Sequence, residues 1–353
     1  MRPPEPFVDS RIDVSVIIVS YNTRELTLDC LRSVFEQTRD ATIEVFVVDN
    51  ASADGSADVI AAEFPQVRLF ALDQNLGFAA ANNFAARHAQ GEWLLLLNPD
   101  TVVLDRAIDR LVAFARRSAA EDPACGIFGG RTVFADGRLN PTSAWARPTL
   151  WSAWCMATGL TSLFRGHRLL NPEAMPHWQR DTERQVDIVT GCFLLLRRSL
   201  WQQLGGFDPA FFMYGEEADL CLRARKRGVK CLICPDATII HYGGASEPVR
   251  AQKKVRLLRA KAQLFHRHWS RPAARLGVLL LDLWACSRML SFWAASRLRP
   301  RLRANHESWR SVWRQRAAWH LSAADRRPTP TVAEPVESVI RASREGCGHC
   351  ADG

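Results

Sequence analysis

The sequence lacks an uninterrupted apolar run long enough to cross a membrane. Asp282 and Arg288 interrupt its most apolar C-terminal stretch, residues 276–298. The longest clean run there, residues 277–281, falls far short of the roughly 20 residues that a span needs. The first residues, MRPPEPFVDSRIDVS, also lack the apolar segment of a secretory signal. We therefore expect no signal peptide, favour a surface helix over a spanning one, and predict a cytoplasmic protein.

The ten cysteines lack the spacing of a disulfide framework. They lie far apart, and several fall inside apolar runs such as VTGCFLLL and VKCLICP, where a thiol behaves as a small apolar side chain. Two Cys-x-x-Cys pairs resemble halves of a zinc site. Because Cys231 and Cys234 fall in an apolar strand pattern, and Cys347 and Cys350 in a predicted disordered tail, we expect neither pair to bind metal. A reducing compartment fits this usage.

Charge is distributed unevenly along the chain. The net charge is +9, but 17 Lys and Arg residues between Arg250 and Arg316 are accompanied only by Asp282 and Glu307. This segment therefore carries +15 and the remainder −6. An acidic body joined to a basic, Trp-containing segment predicts a catalytic module beside one that binds a surface. No recognised nucleic-acid-binding module accompanies the basic segment, so we expect no nucleic-acid partner.

Strands and helices alternate in the first hundred residues, which predicts an α/β protein with a mostly parallel sheet. The β-branched run at 14–20 has no polar interruption, as expected of a strand covered on both faces. Similar runs at 43–48, 67–72 and 92–97 predict three more strands, with helical patterns between them. Ligands of such sheets bind beyond the carboxyl ends of the strands. Polar clusters follow three of these ends: Tyr21-Asn22, Asp49-Asn50 and Asn98-Pro99-Asp100.

The rest of the chain divides into less regular parts. Residues 145–184 are rich in Trp, Pro and Arg without clear periodicity, which predicts a long active-site loop. We predict an N-terminal extension at 1–12, one α/β domain over 13–246, a basic amphipathic helical region over 247–320, and a disordered tail over 321–353. Within the domain, later patterns predict regular structure at 186–197, a helix at 217–226, and strands at 230–234 and 238–242.

Six ordered motifs carry a resemblance to a known family: VSVIIVSYN, VVDNASADGS, NLGFAAANN, LLLLNPD, GFDPAFFMYGEEADLCLR and HYGGAS. Together they resemble an inverting family 2 glycosyltransferase of the GT-A fold, a Rossmann-like nucleotide-diphospho-sugar transferase fold. The nearest likeness is to the bacterial rhamnosyltransferase-like branch. The resemblance covers roughly residues 13–246, and it implies transfer of a sugar from a nucleotide-diphosphate donor.

The resemblance implies a donor site at the predicted edge of the sheet. An aromatic ring gives a base a flat apolar wall, and a carboxylate accepts hydrogen bonds from a base or ribose. Asp54 is equally well explained as a turn and cap residue. Asn75, Gly77 and Asn82 lie in a segment that lines the donor in similar enzymes, where a glycine would permit close backbone approach. The implied donor-binding residues are Tyr21, Asn22, Asp49, Asp54, Asn75, Gly77 and Asp100.

The resemblance also implies a divalent metal, Mg²⁺ or Mn²⁺, because the diphosphate leaving group must be neutralised. Asp100 is the best ligand candidate, and Asn98 stands where the family usually has Asp, which weakens the site. His241 resembles the late histidine that completes the metal or diphosphate site, and imidazole suits Mn²⁺ better than Mg²⁺. The alternatives are a plain Asn-Pro-Asp turn after a buried strand and a structural histidine.

Inverting transfer needs a base that takes a proton from the acceptor hydroxyl. In Glu216-Glu217-Ala218-Asp219 the resemblance assigns that base to Glu217, where the family mostly has Asp. Glu216 is the alternative base, and both Glu216 and Asp219 are assigned to acceptor binding. Asp219 is also explained as a support for its helix. Three acidic residues at a helix start equally suit the helix macrodipole.

The expected function is therefore inverting sugar transfer to a glycan or lipid-linked acceptor in cell-surface polysaccharide synthesis. Rhamnose from dTDP-rhamnose is the first expectation, with galactofuranose, glucose or mannose donors as alternatives. A catalytically inactive glycan-binding relative is a further alternative, motivated by Asn98 and Glu217. A nucleotidyltransferase would need a Gly-rich, basic phosphate loop after the first strand, where this chain has SYNTREL. Residues 252–316, with five interspersed tryptophans, predict peripheral contact with an anionic membrane; packing on the catalytic module is the alternative.

Overall fold

The computed structural model describes residues 12–243, 250–322 and 325. Nearly all of the predicted N-terminal extension and C-terminal tail, and the boundary predicted at 246–247, lie outside the described residues. The first half of the chain alternates strands and helices: β1 Val14–Ser20, α1 Arg24–Gln37, β2 Ile43–Asp49, α2 Ser56–Glu63, β3 Arg68–Ala71, α3 Phe78–Ala86, β4 Trp93–Leu97, β5 Thr101–Val103 and α4 Ala107–Glu121. The four predicted strands are therefore present, with ends that differ from the prediction by at most one residue.

The second half of the domain supplies the remaining strands and short helices. These are β6 Cys125–Val133, β7 Ala144–Trp145, α5 Leu150–Ala157, α6 Leu160–Leu163, β8 Arg184–Val186, β9 Ile188–Val189, β10 Phe193–Arg197, α7 Arg198–Leu204, α8 Glu216–Lys226 and β11 Lys230–His241. The two late strands predicted at 230–234 and 238–242 form one strand, whose pairing register shifts between Cys234 and Thr238. Within the described residues, the long helices that follow are α9 Arg250–His268, α10 Arg271–Leu298 and α11 Arg303–Arg314.

The central sheet has the strand order β3-β2-β1-β4-β10-β6-β11-β5, with β8 paired to β11. The strands β3, β2, β1 and β4 are parallel, whereas β10 runs antiparallel between β4 and β6. In the register of the parallel part, Ser20 lies beside Asp49 and Ile18 beside Leu97. The carboxyl ends of β1, β2 and β4 are therefore nearly level, and the polar residues after them meet at one edge.

The core covers both faces of the sheet. Every residue of β1 and β4 is buried, because α3 and α8 pack on one face and α1 and α4 on the other. The eight described cysteines are free thiols, and all except Cys286 are buried, as expected of small apolar side chains.

Residues 145–184 are only in part the long loop that the sequence predicted: residues 164–183 form neither helix nor strand, but the part before them contains α5 and α6. Helix α5 begins with a capping box formed by Thr149 and Ser152. Its buried residues Ala153 and Ala157 pack against α9 and α10. A helix of eight residues spans about two turns, which is too short to give a clear periodic signal in the sequence.

The C-terminal helices form a third apolar core with α5. Ala274, Val278, Leu281 and Ala285 of α10 are buried in it. By length and composition α10 could cross a membrane, which the interrupted apolar run did not predict. Its other face exposes leucines toward solvent. The helical region expected after the domain is thus present, and it packs on the catalytic module, the alternative that the sequence left open.

Candidate active site

A cavity of about 650 Å³ lies at the carboxyl ends of β1 and β4. The side chains that line it include seven of the predicted site residues: Tyr21, Asn75, Asn98, Asp100, Glu216, Glu217 and His241. The remaining five predicted residues, Asn22, Asp49, Asp54, Gly77 and Asp219, lie outside this lining. The structure therefore gathers residues from five separate parts of the chain around one space large enough for a small-molecule ligand.

Asp100 and His241 meet because β5 and β11 are antiparallel neighbours that place His241 beside Thr101. His241 Nε2 lies 3.4 Å from Asp100 Oδ1 and 3.4 Å from Asn98 Nδ2. Burial alone would raise the pKa of the Asp100 carboxyl, but the hydrogen bond and charge of His241 hold it below its usual value. Burial alone would lower the pKa of His241, yet the neighbouring Cys192 and Asp100 side chains raise it to about 10. The two groups therefore form an ion pair at neutral pH, with the proton on His241.

Asp100, His241 and Asn98 fit a cation that takes most of its ligands from substrate phosphates and water. No group of three or more His, Cys, Asp or Glu side chains in the described ranges is arranged to enclose a metal ion. Asp100 and His241 offer one carboxylate and one imidazole, with the Asn98 side chain beside them, and a cation bound there would replace the proton on His241. Mg²⁺ is commonly held by one or two carboxylates, with substrate phosphates and water completing its shell.

Glu216 and Glu217 open α8, directly after Gly215 in the left-handed region (φ +90°). Glu216 is only 4% exposed, and the Oε2 atoms of both glutamates are buried without a hydrogen-bond partner. Burial, followed by the charge of Glu217, raises the pKa of Glu216 well above its usual value. Burial also raises the pKa of Glu217, but three backbone amides at the helix start partly offset it. Hydrogen bonds from these amides stabilise the ionised form of Glu217, which is the form that a general base needs.

Asn75 helps to shape the cavity wall through the backbone. Its Oδ1 accepts hydrogen bonds from Asn50 Nδ2 and from the Gly77 amide, each at 2.9 Å. Asn50 Oδ1 in turn accepts from the Leu76 amide at 2.8 Å. At Gly77 the close neighbour is protein, since a Cβ there would lie 2.4 Å from the carbonyl oxygen of Phe212; the close approach of a donor stays a prediction. The glycine is needed for the loop before α8 to pack against the 75–78 segment.

Hydrogen bonds join the loops that follow β1 and β2. Asn22 Oδ1 accepts from the Ala53 amide at 2.8 Å, and Asp54 accepts from the amides of Arg24 and Ser56 at 2.9 and 3.1 Å. Asp54 therefore makes the turn and cap contacts of the alternative interpretation. Asp49 is buried, which raises its pKa, and its Oδ1 has no hydrogen-bond partner. An unsatisfied buried acceptor at a strand end is suited to a ligand N–H or hydroxyl.

Asp219 holds two helices together. Its carboxylate pairs with Arg223 Nε at 2.6 Å and with His268 Nε2 of α9 at 2.9 Å, and it is almost fully buried. These contacts fit the alternative that it supports its helix, and its assignment to acceptor binding stays a prediction. The partner His268 lies 49 positions later, too far along the chain for a local pattern to reveal it.

Three charged residues of the cavity were missed by the sequence reasoning: Glu173, Lys253 and Lys261. The two lysines were assigned to a surface-binding helix. Their spacing of eight residues, with Leu257 midway, already places them on one helix face. That signal indicates a helix with a cavity-facing side, although the sequence alone does not identify the cavity.

This architecture is a GT-A glycosyltransferase fold, as the sequence predicted. The mannosyltransferase PcManGT from Pyrobaculum calidifontis, solved with GDP-Man and Mn²⁺, superposes with a TM-score of 0.51 at 21% identity, covering 92% of this chain and 89% of that one. GalNAc-T7, solved with UDP, GalNAc and Mn²⁺, gives a TM-score of 0.52 at 16% identity, covering 85% and 55%. At such identities these likenesses concern the fold alone.

Residues 15–204 match the model of glycosyl transferase family 2, and the chain belongs to that family. It is 30% identical over 226 residues to the N-acetylglucosaminyl-diphospho-decaprenol L-rhamnosyltransferase of Mycobacterium tuberculosis, which covers 57% of this chain and 66% of that protein. It is 29% identical over 240 residues to the O-antigen biosynthesis protein RfbC of Myxococcus xanthus, covering 66% of this chain but only 17% of that protein. Rhamnosyltransferase WbbL of Escherichia coli is 29% identical over 175 residues, covering 47% of this chain and 61% of its own length.

Proposed function

We propose that the protein is an inverting glycosyltransferase of cell-surface polysaccharide synthesis. It moves a sugar from a nucleoside-diphosphate donor to a hydroxyl group of a glycan or lipid-linked acceptor. The observation that carries the proposal is that the Asp100–His241 pair and the Glu216–Glu217 pair line the same cavity. The relatives named rhamnosyltransferases support rhamnose from dTDP-rhamnose as the donor.

In this proposal the catalytic step is a single displacement. Glu217 accepts the proton of the acceptor hydroxyl while that oxygen forms a bond to the anomeric carbon of the donor sugar. The bond from that carbon to the nucleoside diphosphate breaks on the opposite side, so the configuration inverts. Glu216 keeps its proton in this proposal, since burial and the charge of Glu217 raise its pKa. A divalent cation, Mg²⁺ or Mn²⁺, held by Asp100, His241 and Asn98 would neutralise the departing diphosphate.

The donor is tested by a screen of the purified protein against nucleotide sugars. The panel contains dTDP-rhamnose, UDP-galactofuranose, UDP-glucose and GDP-mannose, each with and without Mn²⁺, and the release of nucleoside diphosphate is measured. We expect dTDP-rhamnose to give the fastest release and EDTA to suppress it. A faster reaction with another donor would keep the transferase and correct the sugar. No release from any donor, together with binding of a glycan, would instead identify an inactive glycan-binding relative.

We further propose that the C-terminal helices rest on the cytoplasmic face of an anionic membrane. On α10, Leu276, Leu279, Leu283 and Leu290 follow one helix face and are 45–60% exposed. Exposed arginines, among them Arg275 and Arg297, flank this face. An apolar face beside basic residues is typical of a helix lying in a membrane interface.

The membrane proposal predicts the effect of placing two charges on the apolar face. The Leu279→Glu/Leu290→Glu double variant should partition at least tenfold less into vesicles containing 30% anionic lipid, because each buried leucine contributes about 1.5–3 kcal/mol. Vesicle co-sedimentation measures this. Gln202→Glu/Gln203→Glu on α7 is the control, since it makes the same charge change at exposed positions of the catalytic module. Equal partition of both double variants would contradict the proposal.

A further inference from the structure

The C-terminal helix α9 forms part of the active-site cavity. Five of its side chains line the cavity at helical spacing: Lys253, Leu257, Ala260, Lys261 and Leu264. A Cβ at Gly215, directly before the two glutamates, would lie 3.2 Å from Ala260 Cβ. The helix therefore packs against the turn that starts α8. From Lys253 to Leu264 the stripe runs along about 16 Å of helix.

The two lysines of this stripe have different surroundings. Lys261 Nζ lies 2.8 Å from Glu173 Oε2, and the pair is largely shielded from solvent. Burial alone would raise the pKa of Glu173, but Lys261 holds it below its usual value, so the pair is ionised and neutral overall. Lys253 Nζ lies 5.8 Å above the ring of Tyr214. In the described part of the chain no carboxylate lies within 4.0 Å of it. Lys253 is thus the uncompensated positive charge of this wall.

The proposed transfer step assigns no role to Lys253, because the donor diphosphate is assigned to Asp100 and His241. The surroundings of Lys253 indicate what it binds. Leu257 and Leu264 on the same helix line the cavity, as do Trp145 and Pro148, so apolar side chains are available around it. Pro148 is followed by α5, whose Trp151 and Trp154 are about half exposed. An anion attached to an apolar tail can therefore place its charge at Lys253 and extend its tail from the cavity to the surface of α5.

We propose that Lys253 binds the phosphate or diphosphate ester of an amphiphilic acceptor, and that the apolar side chains around it hold the start of the tail. The Lys261–Glu173 pair fixes the neighbouring turn of α9 and adds no net charge. This inference rests on the proposed function, which supplies the acceptor. An ammonium group on a flexible stem is a common phosphate ligand, since it acts as a point charge and donates in several directions.

The experiment measures the binding of farnesyl diphosphate by calorimetry, without donor and in EDTA. EDTA removes any cation that would attract the diphosphate to Asp100 and His241. Farnesol tests the need for the anion, and inorganic pyrophosphate tests the need for the tail. We expect both to bind at least tenfold more weakly than farnesyl diphosphate. Lys253→Met, which keeps the apolar stem, should weaken farnesyl diphosphate binding about tenfold, and Lys253→Arg should remain within threefold of the unmodified protein.

Two controls locate the binding. Arg256→Ala removes a positive charge from the same helix outside the cavity lining, and it should change the affinity less than twofold. His241→Ala should also leave it unchanged, since it removes the positive charge of the donor site. Equal affinity of Lys253→Met and the unmodified protein, or equal binding of farnesol and farnesyl diphosphate, would overturn the inference. So would a loss of binding in His241→Ala, which would place the diphosphate in the donor site. Because the assay involves no turnover, an inactive protein that still binds through Lys253 would refute the proposed function and leave this inference standing.

Discussion

Replacing Glu217 by Gln is expected to lower kcat for sugar transfer at least about a thousandfold, within the 10²–10⁴-fold range that general bases contribute. The donor Kd should change less than about twofold, because Gln keeps the size of the side chain and the donor diphosphate is bound elsewhere in the cavity. Release of nucleoside diphosphate in the presence of acceptor measures the first quantity. Equilibrium titration with the donor measures the second.

Glu216→Gln is the matched control, since it makes the same change at the adjacent position. We expect it to retain substantial activity, because burial and the charge of Glu217 already keep Glu216 protonated. If Glu216→Gln is inactive and Glu217→Gln is active, the base is Glu216. If both retain full activity, the base lies outside this pair.

The same assignment fixes the direction of the pH dependence. A base works only when unprotonated, so kcat/KM should rise with pH through the pKa of Glu217 in the free enzyme. Burial raises that pKa above the usual value for glutamate, and the acidic limb of the profile should therefore lie at higher pH than for an exposed glutamate. Glu216→Gln removes a neighbouring group that would become negative on ionisation, so it should not move this limb upward.

The sequence predicted the sheet well because its strands are continuous apolar runs. β1 begins and ends at the predicted residues, and the parallel register then brings Tyr21, Asn98 and Asp100 to one edge. The motif order was informative for the same reason, since four of the six motifs contain the end of a strand whose place in the sheet is fixed. His241 joins the site because β11 returns beside β5, and only the resemblance, not the local pattern, indicated that contact.

The parts that the sequence did not predict depend on contacts between distant segments. Gly77 has a positive φ, and a Cβ there would meet Phe212, which lies 135 positions later in the chain. Asp219 pairs with His268 of α9, a partner that no local sequence pattern indicates. The basic composition of α9 likewise concealed that one of its faces lines the cavity. In each case the sequence shows the residue type but not the distant segment that contacts it.

Removing the Asp100 carboxylate is expected to have the second large effect. Asp100→Ala should weaken donor binding at least tenfold in the presence of Mn²⁺ and abolish the difference between Mn²⁺ and EDTA, since it leaves only His241 and the neutral Asn98 to hold the cation. Titration with dTDP, with and without Mn²⁺, measures both. Asp122→Ala is the control, because Asp122 pairs with Lys230 at the surface outside the cavity lining, and its metal response should match that of the unmodified protein.

A substitution at Asn98 tests the same cation site by adding a ligand instead of removing one. Asn98→Asp adds a second carboxylate beside Asp100 and the Nε2 atom of His241, from which the Asn98 Nδ2 atom is 3.4 Å away. It should lower the Mn²⁺ concentration needed for half-maximal dTDP binding several-fold, because hard divalent cations prefer charged oxygen ligands. Asp100→Ala in the Asn98→Asp background should then recover part of the metal response. If Asp100→Ala changes neither dTDP affinity nor metal response in either background, the diphosphate is bound without this pair, and the assignment of the Asn-Pro-Asp segment is wrong.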